Sequence, residues 1–190
     1  MRRLERALAV AGAALVAWPV LAPYSAGSVM ASTSSRAQHA VASVAHRYRL
    51  QLHDGEAVGR IAIPRIRLDV VLFDGTSRAD LAKGPGIYRG DYLPGEGRLV
   101  YIAGHRTIFG APFSRLEELR PGDTILLTLP YGRFAYRVTG HRVVPATAVS
   151  VLRSHRHEQL ILQTCHPRFS ASHRYLVYAT PVRPLLHQPT

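Results

Sequence analysis

Apolar residues along this chain come in short runs broken by Gly and Pro, a spacing that predicts strands and leaves no helix-period stretch long enough for a bundle. The runs are Gly59–Ile63, Leu68–Phe73, Arg98–Ala103, Asp123–Leu129, Arg133–Thr139, His141–Pro145, Gln159–Thr164 and Arg174–Thr180. Thr124–Leu129 and Arg133–Thr139 flank Pro130-Tyr131-Gly132, and Phe134, Tyr136 and Val138 alternate with Arg133, Ala135 and Arg137, which predicts a hairpin with one buried face. The expectation is therefore an all-β domain of eight strands, a closed barrel or a sandwich, with small helical pieces over Arg78–Ala82 and Pro112–Leu119.

The N-terminal pattern is different. Arg2, Arg3 and Arg6 precede an apolar run from Ala7 to Pro23, about the minimum for a membrane-spanning helix with its positive end in the cytoplasm. A cleaved signal peptide has the same features, with small residues near Leu21-Ala22 and Ser25-Ala26; Trp18 and Tyr24, as interfacial aromatics, favour the uncleaved anchor. From Ser25 to about Ala45 the chain is rich in Ser, Ala and Thr without a sustained apolar period, which predicts a tether, with room for a short helix over Ala37–Tyr48. The predicted layout is an anchor over 1–24, an extracellular linker over 25–55, a folded domain over 56–183 and a tail over 184–190. The protein is expected at the cell membrane, single-pass, with the folded domain outside.

A chain of 190 residues holds one such domain. Its formal charge of +12 arises from 23 Arg and one Lys against 12 acids. These cations are scattered and belong to no recognisable module, which argues against nucleic acid as a partner and suits attraction to a polyanionic envelope. With Cys165 as the single cysteine there is no internal disulfide, and that residue is either a small buried hydrophobe or a reactive thiol.

Cys165 ends the apolar run Leu160-Ile161-Leu162-Gln163-Thr164, on the face opposite Leu160, Leu162 and Thr164, where Pro167 stops regular pairing. An eight-residue loop returns the chain into Arg174. If the two strands are neighbours, Cys165 and Arg174 meet at one end of the sheet, where a guanidinium can hold a substrate carbonyl or a developing oxyanion, or simply be a solvated edge residue. A nucleophilic thiol also needs a proton acceptor and donor. His105 follows the apolar run Leu99–Ala103 through Gly104; His166 adjoins the cysteine but points to the other face, which makes it the weaker candidate. His155, His157 and His166 lack an acidic partner for a metal site, and no metal or cofactor is expected.

The segments Ile61-Ala-Ile-Pro64, Gly84-Pro-Gly-Ile-Tyr88, Pro94-Gly-Glu-Gly97, Ala103-Gly-His-Arg106, Pro112-Phe113, Pro121-Gly-Asp123, Leu162-Gln-Thr-Cys165 and Arg174 together resemble the sortases over about residues 57 to 182. The likeness is greatest to the class E housekeeping type of high-GC Gram-positive bacteria, where His-Pro commonly follows the cysteine. The resemblance implies an eight-stranded sortase-type β-barrel and a cysteine transpeptidase. Its substrates would be secreted proteins with a C-terminal LAxTG- or LPxTG-like sorting signal, cleaved between Thr and Gly through a thioester and passed to a cell-wall precursor amine. By position, Cys165 would be the nucleophile, His105 the acid and base, and Arg174 the substrate and oxyanion support, with Thr164 helping to form the oxyanion hole. One departure is Ile161, where the family motif commonly has Thr. A different class of expectation is a non-catalytic, membrane-tethered barrel that binds wall polymer or a partner protein, with Cys165 merely buried.

Overall fold

The computed structural model describes residues 22–153 and 157–182, with side chains from residue 35 onward. It divides into two compact units, Met1–Arg36 and Ala37–Thr190. Eight strands among the described residues form a closed barrel: β1 (Ala57–Ile63), β2 (Leu68–Asp74), β3 (Gly86–Ile87), β4 (Leu99–Ala103), β5 (Thr124–Leu129), β6 (Gly132–Pro145), β7 (Gln159–His166) and β8 (His173–Pro181). Their order around the barrel is β1-β2-β3-β4-β7-β8-β6-β5, and β1 closes it against β5. The pairs β2–β3 and β4–β7 are parallel; the others are antiparallel.

Period-two alternation sorts the side chains. Val100, Ile102, Leu160, Leu162, Val177 and Ala179 join the interior cluster, whereas Leu99, Tyr101, Ile161 and Leu176 join a second cluster with Val144. The parallel pair β4–β7 is thus covered on both sides, as continuous apolar runs of this kind require. The outer cover comes from the β6–β7 connection, whose 3-10 turn Val149–Leu152 lays Val151 and Leu152 against that second cluster.

The number of strands agrees with expectation, but their identities do not all agree. Arg133–Thr139 and His141–Pro145 are one strand, β6, in which Thr139 is an extra residue between the Val138↔Ala179 and Gly140↔Tyr178 pairs. Such a bulge keeps the pairing while bending the strand, which lets β6 serve both β5 and β8. The strand that pattern analysis misses is β3, two residues long between β2 and β4. Of the two predicted helical pieces, the first is α2 (Arg78–Lys83), started by a capping box between Ser77 and Asp80; the second is reduced to a 3-10 turn at Leu116–Glu118.

The stretch read as an irregular tether is helical: α1 runs Ala22–Gln51. Ala-rich sequence favours a helix, and the final turns gain tertiary support. Ala45 is completely buried and Val41 and Tyr48 pack on the interior cluster. The Tyr48 hydroxyl donates to the Val58 carbonyl at 3.3 Å, and Arg49 meets Glu96 at 3.1 Å. The predicted anchor lies outside the described residues except for Ala22, Pro23 and Tyr24; among the described residues no helix is long and apolar enough to cross a membrane.

Candidate active site

The two parallel strands β4 and β7 end side by side, and their ends bring the candidate residues together. Their last pair is Ala103↔Gln163; the chain beyond β4 then turns through Gly104 into His105, while β7 continues to Cys165. Two hydrogen bonds fix this divergence. Gly104 N donates to the Gln163 carbonyl at 3.0 Å, and the Thr164 hydroxyl donates to the Gly104 carbonyl at 2.9 Å. Glycine is required at 104 because a Cβ would come within 2.6 Å of the buried Phe113 ring. Phe113 N in turn donates to the His105 carbonyl at 3.0 Å, holding the far side of the turn.

Cys165 is partly exposed and stands directly opposite Arg174 in the β7–β8 register. Carbonyls alternate along a strand, so Cys165 shares the side of Gln163 and turns its main-chain groups toward β4, away from β8. Cys165↔Arg174 is therefore a non-hydrogen-bonded antiparallel pair, the type in which facing side chains stand closer. Arg174 Nη1 donates to the carbonyls of Ala171 at 2.8 Å and His173 at 3.1 Å, so one arm of the fork is braced by its own loop.

His105, Cys165 and Arg174 line one groove of about 420 Å³. Its floor includes Tyr101, Ala103 and Gln163, its wall Val149, Val151 and Leu152 from the β6–β7 connection, and Arg78 and Leu81 of α2 also line it. The Tyr101 hydroxyl donates to Gln163 Oε1 at 2.6 Å, which ties the floor of β4 to that of β7. His105 packs on Phe109, ring centroids 5.2 Å apart, and its Nε2 is buried without a hydrogen-bond partner. Burial and the nearby Arg78 cation both disfavour the imidazolium and hold the His105 pKa below the usual histidine value.

The structure brings together three of the four sequence-selected residues in this groove. Thr164 behaves differently: it is 1% exposed, does not line the groove, and spends its hydroxyl on Gly104. Its side chain supports the turn before His105. His166 points away from the groove, toward Arg106 and Tyr175, as strand alternation predicts. Of the imagined histidine cluster, His155 lies outside the described residues. Arg78 and the apolar wall were not identified from sequence, because neither α2 nor the 3-10 turn carries a pattern that reveals what it faces.

A family model described as the sortase domain matches residues 61–182. Sortase D of Bacillus subtilis is 37% identical over 129 residues, covering 65% of this chain and 63% of that relative. Sortase A of Listeria monocytogenes aligns over 56% of its own length, so the match spans roughly three fifths of such relatives. Among solved structures, sortase E1 from Streptomyces coelicolor with a tripeptide in its active site is similar at a TM-score of 0.63 and 25% identity, over 68% of this chain and 90% of that one. With more than half of its length matched by the family model, and with histidine, cysteine and arginine converging where β4 and β7 end and β8 begins, this chain belongs to the sortase family.

Proposed function

We propose that the protein is a cysteine transpeptidase that cleaves a C-terminal sorting signal between Thr and Gly and transfers the new carboxyl end to an amine of a cell-wall precursor. The observation that carries this reading is the single groove onto which the only thiol, an imidazole and a guanidinium open. The Cys165 thiolate attacks the Thr carbonyl carbon, and the free arm of Arg174 stabilises the charge on its oxygen. The C–N bond to Gly breaks as the His105 imidazolium gives its proton to the leaving amine, leaving a thioester. The acceptor amine then attacks, His105 takes its proton, and the C–S bond breaks to return the thiolate. Because the imidazolium is disfavoured here, the acid form needed in the first half is a minority species at neutral pH, consistent with a slow enzyme.

The finer reading is an enzyme of class E type with LAxTG-like preference, anchored by the N-terminal apolar segment with its catalytic domain outside the cell. His166-Pro167 after the cysteine supports the class, and Arg2, Arg3 and Arg6 before the apolar run support the orientation. The test is incubation of the full chain with quenched LAxTG and LPxTG peptides and an amine, followed by mass spectrometry, with Cys165→Ala as control. The full chain is needed because α1 supplies buried Ala45 to the core. Cysteine-dependent, acceptor-linked product is the expected result, and the two rates assign the signal preference. Intact peptides, together with a Cys165 that resists alkylation in the folded protein, would instead favour the non-catalytic binding barrel.

A further inference from the structure

β4 leaves the sheet before β7 has reached its nucleophile, and this leaves a hydrogen-bonding position to fill. The Gln163 carbonyl faces β4 and accepts from Gly104 N. Two residues further on, the Cys165 carbonyl faces the same side, where no strand amide follows. A side chain occupies that position: Arg106 Nη1 donates to the Cys165 carbonyl at 3.3 Å and lies 3.0 Å from His166 Nδ1. The other arm, Nη2, is ion-paired with Glu117. Glu117 also meets Arg168 at 3.6 Å, and Arg168 donates to the Ser114 carbonyl at 2.7 Å. Arg106 is only 5% exposed and does not line the groove. A charge so withdrawn from water is costly unless every arm is engaged, and here the engagement runs from the segment after His105 to the main chain of Cys165.

We infer that Arg106 is a positioning residue for the nucleophile: its fork replaces the absent β4 amide, sets the main-chain direction at Cys165, and so aims Sγ at His105 without touching substrate. It has a second effect on the neighbouring imidazole. A guanidinium can only donate, so His166 Nδ1 is the acceptor and the ring proton sits on Nε2, which withdraws that nitrogen from competing as a base beside the thiol. Lysine cannot substitute, because one ammonium cannot span a carboxylate, a carbonyl and a ring nitrogen in a fixed plane.

The inference rests on the proposed role of Cys165, and the experiment separates the two. Wild type, Cys165→Ala, Arg106→Lys and Glu117→Gln are compared as full chains with the better sorting peptide, alongside thermal unfolding and 15N spectra of the histidine rings. Arg106→Lys is expected to lose about 30-fold or more in kcat with KM within about twofold, since misaimed reacting groups lose rate while the groove still binds. Its His166 ring should pass to a mixture of tautomers. Glu117→Gln, which leaves the guanidinium but slackens its anchor, should fall between it and wild type, and it decides the matter if Arg106→Lys does not fold. A folded Arg106→Lys with kcat within about threefold of wild type, or a loss shared equally by KM, would overturn the positioning role. Wild-type cleavage that persists in Cys165→Ala would instead overturn the nucleophile assignment and the inference with it.

Discussion

Replacing Thr164 by Val removes one hydroxyl and keeps the branched shape. In the folded protein that hydroxyl donates to the Gly104 carbonyl at 2.9 Å in a site 1% exposed, so the variant leaves a buried acceptor without a donor. Such a loss costs about 1–3 kcal/mol, and the added methyl returns up to about 0.8 kcal/mol of burial, leaving a net of roughly 1–2 kcal/mol. For a unit this size the melting temperature should fall by about 3–8 °C. The loss is local as well as global. Amide exchange at Gly104 and Phe113, the two N–H groups that frame the His105 turn, should accelerate, and kcat should fall by roughly tenfold as the imidazole loses its placement. Thr164→Ser, which keeps the hydroxyl and loses a methyl, should melt lower by a similar amount yet retain most of its activity. Calorimetry, hydrogen exchange and steady-state kinetics on the three proteins are sufficient. If Thr164→Val melts with wild type while its kcat collapses, the hydroxyl acts in the groove on substrate, and the structural account of this residue is wrong.

Two further predictions concern pH. Asp91 is buried, one of its oxygens has no hydrogen-bond partner, and burial raises its pKa to about 6. The folded state therefore holds this proton more tightly than the unfolded chain, so its contribution is fully present below about pH 4 and is lost as pH rises through 6. Asp91→Asn should leave the melting temperature near wild type at pH 4 and raise it at pH 7.5 by a few degrees, equivalent to about 1–2 kcal/mol; an equal shift at both pH values would refute the argument. For His105 the sign is opposite: its lowered pKa means that the folded protein resists protonation, so stability is full above the ordinary histidine value near 6.5 and declines as pH falls through the lowered one. Arg78→Gln removes the like charge and should move the ring titration of His105, followed by NMR, toward higher pH, though not fully to the free value because burial remains the larger cause.

The groove shows what a linear pattern can and cannot carry. Cys165 and Arg174 could be paired from sequence because both close period-two runs around one short loop, and the structure puts them opposite each other. His105 was marked by a Gly after an apolar run, again a strand-end signal. Two other strands were harder: β3 has only two residues, too few to show alternation, and β6 looked like two strands because the extra residue Thr139 breaks the alternation without breaking the ladder. Helix α1 was missed over most of its length because Val41, Ala45 and Tyr48 make sense as a buried face only once the barrel is there to bury them. Arg106 stood inside a quoted motif, yet a lone Arg next to a His reads as surface charge until Glu117 and the Cys165 carbonyl are seen around it.

The parallel pairing of β4 with β7 governs when the site can exist. Parallel neighbours cannot be joined by a tight turn, and here the connection includes all of β5 and β6. During synthesis from the N-terminus, His105 emerges 60 residues before Cys165, and its turn is completed only when Gln163 and Thr164 of β7 pair beside β4. Contacts between residues this distant in sequence carry a high loop-closure cost and belong among the slower steps of folding. Until β7 pairs with β4 the chain holds only an isolated cysteine, and Cys165 and His105 come to line one groove only as the barrel assembles.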